Sequence, residues 1–256
     1  MEFHVYRKTG SYHKRHQLPC QDVVRSGRKG RYGIITAADG VSSSVSGKEG
    51  AELACEAFED FVKREGSALF KYKKEKLAYL LIEHILYFIE KKISETTGIK
   101  DRKEMEKRLP DYACTFLAVC MDNATDEAVI LHLGDGAVYS FFGGRERRIL
   151  SEDLFSDTPC FVTTQDACRM MKVEKRVLKK GETIFLCTDG LEDAFSSHGE
   201  EGKRLKEAAV HRKLSVLNRI IDHADWADDV SYAMLTNTGE ISMAAFLPPF
   251  LPAPCM

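Results

Sequence analysis

The sequence predicts a single α+β domain, and three observations carry that expectation. Strand-like segments stand at both ends of the chain, with helical segments in blocks between them. No internal repeat or linker divides the 256 residues, a length that suits one large domain with a sizeable core. Apolar runs also stop three times at an Asp-Gly pair: Ile34-Ile35-Thr36-Ala37-Ala38-Asp39-Gly40, Ile130-Leu131-His132-Leu133-Gly134-Asp135-Gly136 and Ile184-Phe185-Leu186-Cys187-Thr188-Asp189-Gly190. A fourth run reverses the order, with Asp228-Asp229 leading into Val230-Ser231-Tyr232-Ala233-Met234-Leu235. Taken alone, any Asp-Gly pair reads first as a two-residue hairpin turn. The set says more, because strand ends are rigid places from which to present carboxylates. Several gathered at one sheet edge make an all-oxygen site for hard divalent cations.

The elements follow in order. Residues 3–7 and 31–38 alternate like strands, and Gly27-Arg28-Lys29-Gly30 has the character of a hairpin loop. After Asp39-Gly40 a small polar loop, Ser42-Ser43-Ser44-Val45-Ser46-Gly47, leads into a helix with Ala51, Ala54, Phe58, Phe61 and Val62 at helical spacing. A second helix over about 75–95 is apolar around most of its circumference, which predicts a largely covered helix. Residues 98–110 form a charged connection. Strands are expected at 112–121, 128–133 and 137–142, with a hairpin loop at Asp122-Asn123-Ala124-Thr125-Asp126 and a turn at Gly134-Asp135-Gly136. Residues 143–164, poor in apolar side chains, read as an exposed loop. Two more strands, 170–179 and 182–188, precede helical patterns from Leu191 and over 200–222, and 230–236 is the last strand. The prolines of 241–256 forbid helix or inner strand, so this stretch is read as a loose tail on a domain of residues 1–240.

Composition excludes several function classes. Apolar content of 44% and charged content of 30% are those of a soluble globular protein. A net charge of -2 argues against nucleic acid as the main partner, and the basic runs at 71–76 and 145–148 read as solvated helix faces or loops. The first residues lack the apolar stretch of a secretory signal. The longest apolar segment, 77–82 and 85–89, is interrupted by Glu83-His84 and too short to span a bilayer, so no membrane partner is expected. Eight cysteines are scattered singly, which predicts reduced thiols in a cytoplasmic protein, and the lack of any C-x-x-C pair argues against structural zinc.

Phosphate chemistry is the obvious use for clustered carboxylates. No Cys is followed six positions later by Arg, no Asp-x-Asp occurs, and neither a nucleotide P-loop nor a Gly-x-Ser-x-Gly elbow can be read. What remains is a metal site made of carboxylates.

The order of motifs resembles the metal-dependent protein phosphatase family, also called protein phosphatase 2C, in the style of its compact bacterial members. The matching stretches are Ser11-Tyr12-His13 to Gln21-Asp22, Ala38-Asp39-Gly40-Val41 with the helix start Gly50-Ala51-Glu52-Leu53-Ala54, Ala113-Cys114-Thr115, Gly134-Asp135-Gly136, Thr188-Asp189-Gly190-Leu191 and Asp228-Asp229-Val230-Ser231. They span nearly the whole chain. The resemblance implies a four-layer α-β-β-α sandwich, with two antiparallel sheets flanked by helices and two Mn²⁺ or Mg²⁺ ions at one edge. It implies a serine/threonine phosphatase acting on phosphorylated protein, with a cognate kinase as a further partner. In this reading Asp39 bridges both ions and the Gly40 carbonyl binds one. Asp189 and Asp228 complete the other, Asp22 holds metal-bound water, Gln21 counts among the metal-site residues, and Asp135 with Asp189 can hold a third ion. Such ions clamp phosphate oxygens and activate water for in-line attack, so no protein nucleophile is needed.

The chain departs from the family pattern at Gln21, where many members have Glu, and at Gln17, where eukaryotic members have a phosphate-gripping Arg. His13, Arg15, His16 and Gln17 are the residues expected to face substrate in its place. Val41 stands where many members have a His proposed as general acid, and Ala137 where an Arg is common. These departures keep open an alternative, a binding module that retains the fold without turnover; a convergent metal hydrolase is a third reading. The stretch 143–169 matches the family's flap in position. Cys20 and His132 read as packing residues, His84 and His223 carry no partner signal, and Asp229 reads as a turn cap or a solvated group.

Overall fold

Residues 1–151, 160–197 and 199–239 are described by the structure, a computed structural model. Within them two five-stranded sheets lie face to face. The first has the order β1 (Glu2–Lys8), β10 (Val230–Thr236), β9 (Thr183–Cys187), β6 (Ala137–Phe142), β7 (Arg145–Ser151). The second has the order β2 (Asp22–Lys29), β3 (Tyr32–Asp39), β4 (Phe116–Asp122), β5 (Glu127–Leu133), β8 (Lys172–Val177). Every pairing is antiparallel. Between the strands run α1 (Ser11–Arg15), α2 (Gly47–Glu65), α3 (Ala68–Lys71), α4 (Lys74–Thr97), α5 (Arg102–Arg108), α6 (Ala167–Met170), α7 (Asp189–Ser196), α8 (Glu200–Val210) and α9 (Leu214–His223).

Side-chain alternation explains the four layers. In β4, Phe116, Ala118 and Cys120 pack with Phe58, Leu81 and Ile85 of α2 and α4, while Leu117, Val119 and Met121 face the other sheet. In β9, Phe185 and Cys187 meet Leu191, Leu205 and Leu217 of α7–α9, while Ile184 and Leu186 point inward. Strands covered on both faces read as continuous apolar runs. The sandwich expected from the family resemblance is therefore the observed architecture. Phe185 is fully buried and stacks on Phe195 and Tyr232. Phe185→Ala is expected to cost about 3–5 kcal/mol in denaturant unfolding.

Several local expectations are corrected. Gly27-Arg28-Lys29-Gly30, read as a hairpin loop, is mostly strand: residues 22–29 form edge strand β2 and the turn falls at Gly30 and Arg31. The outer half of β2 carries Arg25, Ser26, Arg28 and Lys29, which hides the alternation. The basic run 145–148 is neither helix face nor loop but edge strand β7, joined to β6 through Gly143 and Gly144, both at positive φ. Charged residues are the ordinary protection of an exposed sheet edge. Strand 170–179 is shortened to β8 because Ala167–Met170 turns as α6. The helical pattern over 200–222 breaks into α8 and α9 where Arg212 takes φ 52°. In α4 one stripe is buried, but Tyr79 and Tyr87 stand out from the surface, so the helix is not covered all round. The segment 152–159 of the expected flap and the tail 240–256 lie outside the described residues.

None of the three Asp-Gly pairs is a hairpin turn. Asp39-Gly40 leaves β3 toward α2, Gly134-Asp135-Gly136 crosses from β5 in one sheet to β6 in the other, and Asp189-Gly190 opens α7.

Candidate active site

Five aspartates from separate elements meet at one edge of the sandwich. Asp22 begins β2 and Asp39 ends β3, and the two are direct cross-strand partners, which places their Cβ atoms about 5 Å apart. Asp189 follows β9, and Asp228 precedes β10, the strand paired with β9. Asp39 lies in the field of Asp22, Asp189 and Asp228. Asp189 lies in that of Asp135, Asp228 and Asp22.

Burial and crowding make these groups hard to ionise. Asp22 is fully buried. Desolvation raises its pKa to about 6, against the hydroxyls of Ser231 and Thr188, which favour the anion. Desolvation with repulsion from Asp22 and Asp189 pushes Asp39 well above the carboxylate range. Desolvation with repulsion from Asp135 and Asp228 carries Asp189 to about 7, and desolvation foremost also raises Asp135. Among the described residues, Asp22, Asp39, Asp135 and Asp189 form no ion pair with Lys, Arg or His. Carboxylates forced together without a counter-charge indicate a site completed by cations.

Neighbouring groups hold the edge in place. Thr115 clamps Asp39 from both sides: its Oγ1 accepts from the Asp39 N–H at 3.0 Å, and its own N–H donates to the Asp39 carbonyl at 2.8 Å. Thr188 Oγ1 donates to Asp22 Oδ2 at 2.9 Å and accepts from the Ser231 N–H at 3.1 Å. His132 Nε2 lies 2.8 Å from the Gly136 carbonyl, which fastens the Asp135 crossover. Burial pushes that imidazole down to about 4, so it stays neutral. At Gly40 only glycine fits, since a Cβ would stand 2.3 Å from the Gly47 carbonyl carbon.

The residues expected to face substrate divide. Arg15 and Gln17 are exposed, and Arg15 Nε donates to the Ser11 carbonyl at 3.2 Å. His16 is exposed as well, with Nδ1 2.8 Å from the Tyr12 carbonyl. His13 is placed differently: only 1% exposed, with Nδ1 2.9 Å from Asp229 Oδ2. It is turned into the protein, where a substrate phosphate has no access. Gln21 presents a buried Oε1 with no hydrogen-bond partner. The reading of Asp229 as solvated is corrected, because its carboxylate is buried and accepts from the N–H groups of Gly10 at 2.8 Å and Gln21 at 2.6 Å. Burial alone would raise its pKa, but the bonds from Gly10, His13 and Gln21 together hold it below the usual value. His13, Asp228 and Asp229 also bring one donor atom each within 4.8 Å of one another. With Asp229 already taken by three N–H groups or ring contacts, that trio does not offer a free set of oxygens.

Sequence reasoning missed Arg7, whose guanidinium donates to the Asp22 carbonyl at 3.1 Å. It missed the Thr188–Asp22 bond too. Both depend on which strands become neighbours. His84, read without a partner, lies 3.0 Å from Asp60 of α2. Burial, with Asp22 and Asp229 nearby, pushes the Cys20 thiol up to about 12, which leaves it unreactive. Cys20, Cys55, Cys114, Cys120, Cys168 and Cys187 are in no disulfide. A cleft of about 620 Å³ lined by His4, His211, Arg212 and Met234 sits toward the opposite end of β10, away from the aspartates.

The model of the family described as Protein phosphatase 2C matches residues 9–232. The chain belongs to the protein phosphatase 2C family. Solved structures agree on the fold. A serine/threonine phosphatase of S. agalactiae superposes with a TM-score of 0.62 at 14% identity, covering 91% of this chain and 98% of that one. The catalytic domain of the serine/threonine protein phosphatase PstP, in complex with two manganese ions, gives 0.59 at 17% identity, over 91% and 96%. RsbX in complex with magnesium gives 0.52 at 14% identity, over 91% and 92%. No curated protein matches the chain. The donor set of this protein phosphatase 2C edge fits the family's divalent ions on its own evidence. Asp22 Oδ1, Asp135 Oδ1 and Gln21 Oε1 are buried without hydrogen-bond partners, and the five aspartates add further oxygens, the preference of Mn²⁺ and Mg²⁺. Among the described residues no helix is long and apolar enough to cross a membrane.

Proposed function

We propose that this protein hydrolyses phosphoserine and phosphothreonine in phosphorylated proteins, with two Mn²⁺ or Mg²⁺ ions at the aspartate edge. The observation that carries the reading is the convergence of five aspartates, none of them in an ion pair among the described residues. When bound, the cations supply electrostatic clamping of the phosphate and activation of water.

The chain's own groups take the following roles. Asp39 and the Gly40 carbonyl would hold the ions, Asp189 and Asp228 would complete the set, and Asp135 with Asp189 would take a third. Asp22, oriented by Thr188, would offer Oδ1 to the attacking water, and Gln21 would contribute a neutral oxygen beside it. Arg15 at the end of α1 and Gln17 on the turn after it, with Arg7 near the end of β1, meet the phosphate and its flanking residues. His13 is withdrawn from that group because its ring is buried against Asp229. A cytoplasmic location and a cognate serine/threonine kinase complete the picture.

The test is phosphate release from matched phosphoserine, phosphothreonine and phosphotyrosine peptides with Mn²⁺, Mg²⁺ or chelator. Release from the first two only, abolished by chelation, is expected. Equal release from phosphotyrosine or release in chelator would overturn the reading. Tight metal binding with no release from any peptide would leave a binding module.

A further inference from the structure

The segment 10–21 has no sheet of its own to fix it, yet it delivers Gln21 and Asp22 to the carboxylate edge. The Gly40 N–H donates to the Gln21 carbonyl at 3.3 Å, and the other anchors come from the residues just before β10. Ser11 N–H donates to the Trp226 carbonyl at 2.7 Å and Tyr12 N–H to the Ala227 carbonyl at 3.1 Å. Asp229 then takes the N–H groups of Gly10 and Gln21, one at each end of the segment, and the His13 ring from its middle. One carboxylate, 2% exposed, thus ties both ends and the centre of a twelve-residue excursion.

The backbone carrying this carboxylate is itself held between two glycines. A Cβ on Gly10 would lie 2.3 Å from the Asp228 carbonyl carbon, and one on Gly190 would lie 2.2 Å from the Asp229 carbonyl oxygen. Gly10 precedes the segment that carries Gln21 and Asp22, and Gly190 follows Asp189. The backbone of Asp228 and Asp229 is therefore wedged between the backbones that deliver the other carboxylates. A shift of Asp229 moves Asp228 directly and Gln21 and Asp22 through the hydrogen bond to Gln21.

We infer that Asp229, paired with His13, is a positioning residue that sets the spacing of Gln21, Asp22 and Asp228 for cation binding. The inference rests on the metal reading proposed above and adds a residue that binds no ion itself. An Asn at 229 keeps the size but places an NH₂ against one of the two backbone N–H donors, Gly10 or Gln21, so the clasp cannot close fully. Outer partners of metal ligands commonly alter affinity by about 10–100-fold when removed.

The experiment is calorimetric titration of the full chain with Mn²⁺ alone, together with amide hydrogen exchange without metal. Asp229→Asn is expected to weaken Mn²⁺ binding about tenfold or more. The Gly10 and Gln21 amides should exchange faster, while those of β4 stay as in wild type. A second pair of variants keeps the test open if Asp229→Asn does not fold. His13→Asn retains an N–H where Nδ1 stood and is expected to keep most of the affinity, whereas His13→Leu loses it. Wild-type affinity in Asp229→Asn, or equal loss in both His13 variants, overturns the inference alone. A wild-type protein that binds no Mn²⁺ overturns the metal reading and this inference with it.

Discussion

Asp39→Asn is expected to lower metal-dependent hydrolysis of an aryl phosphate by at least about 10³-fold, equivalent to roughly 4 kcal/mol of barrier. The same substitution should make the metal-free protein more stable. In the absence of cations Asp39 is a crowded carboxylate, facing Asp22 across the β2–β3 pair and repelled by Asp189 and Asp228. A neutral amide removes that repulsion and the cost of burying charge. Thermal unfolding in chelator should therefore rise while activity falls, the trade between stability and function expected where a site is strained for its ligand. Mn²⁺ should raise the melting temperature of wild type and have little effect on the variant. Activity that survives either Asp39→Asn or chelation refutes the mechanism.

The pH dependence of the metal-free protein follows from the same crowding. Asp22 is lifted from 3.8 to about 6 and Asp189 from 3.8 to about 7 by burial and by neighbouring carboxylates. A folded-state pKa above the unfolded one means that the folded protein holds more protons in the interval between them. The stability linked to these groups is fully present below pH 4 and is lost as pH rises through 6 and 7. Asp229 acts in the opposite sense, since its depressed pKa lends stability above pH 4 that is lost in stronger acid. Urea unfolding in chelator is thus expected to show a maximum near pH 4–5 and a decline toward pH 8. Saturating Mn²⁺ should flatten that decline by binding the ionised carboxylates. A metal-free protein more stable at pH 8 than at pH 5 would contradict the crowding.

Much of the site was legible because its residues are local signals. An apolar run that stops at Asp-Gly identifies a strand end whatever it pairs with, and the order of such ends carried the family resemblance. The inner strands were legible for a related reason: β3, β4, β5 and β9 are covered on both faces and read as continuous apolar runs. The edge strands were not. In β2 and β7 the exposed and half-buried positions hold Arg25, Arg28, Lys29, Arg145, Arg147 and Arg148, and solvent on one side removes the need for apolar residues. The Gly143-Gly144 turn was a signal that could have revealed β7, because two consecutive glycines at positive φ suit a tight hairpin. It was outweighed by the charge of the strand that follows.

The Asp-Gly pairs also show where one-dimensional reading stops. By itself the sequence determined that carboxylates stand at several strand ends, that the set suits hard cations, and that the thiols are not an obvious nucleophile. Tertiary structure alone decided that Asp135 lies on a crossover between sheets and that Asp22 faces Asp39. It also decided that His13 turns inward to Asp229 while Arg7 reaches the Asp22 backbone. The physical reason is separation along the chain. A strand end is encoded by its own few residues, but the partner of a buried carboxylate at 229 is an amide at 10 or 21, and only sheet pairing and packing bring such positions together.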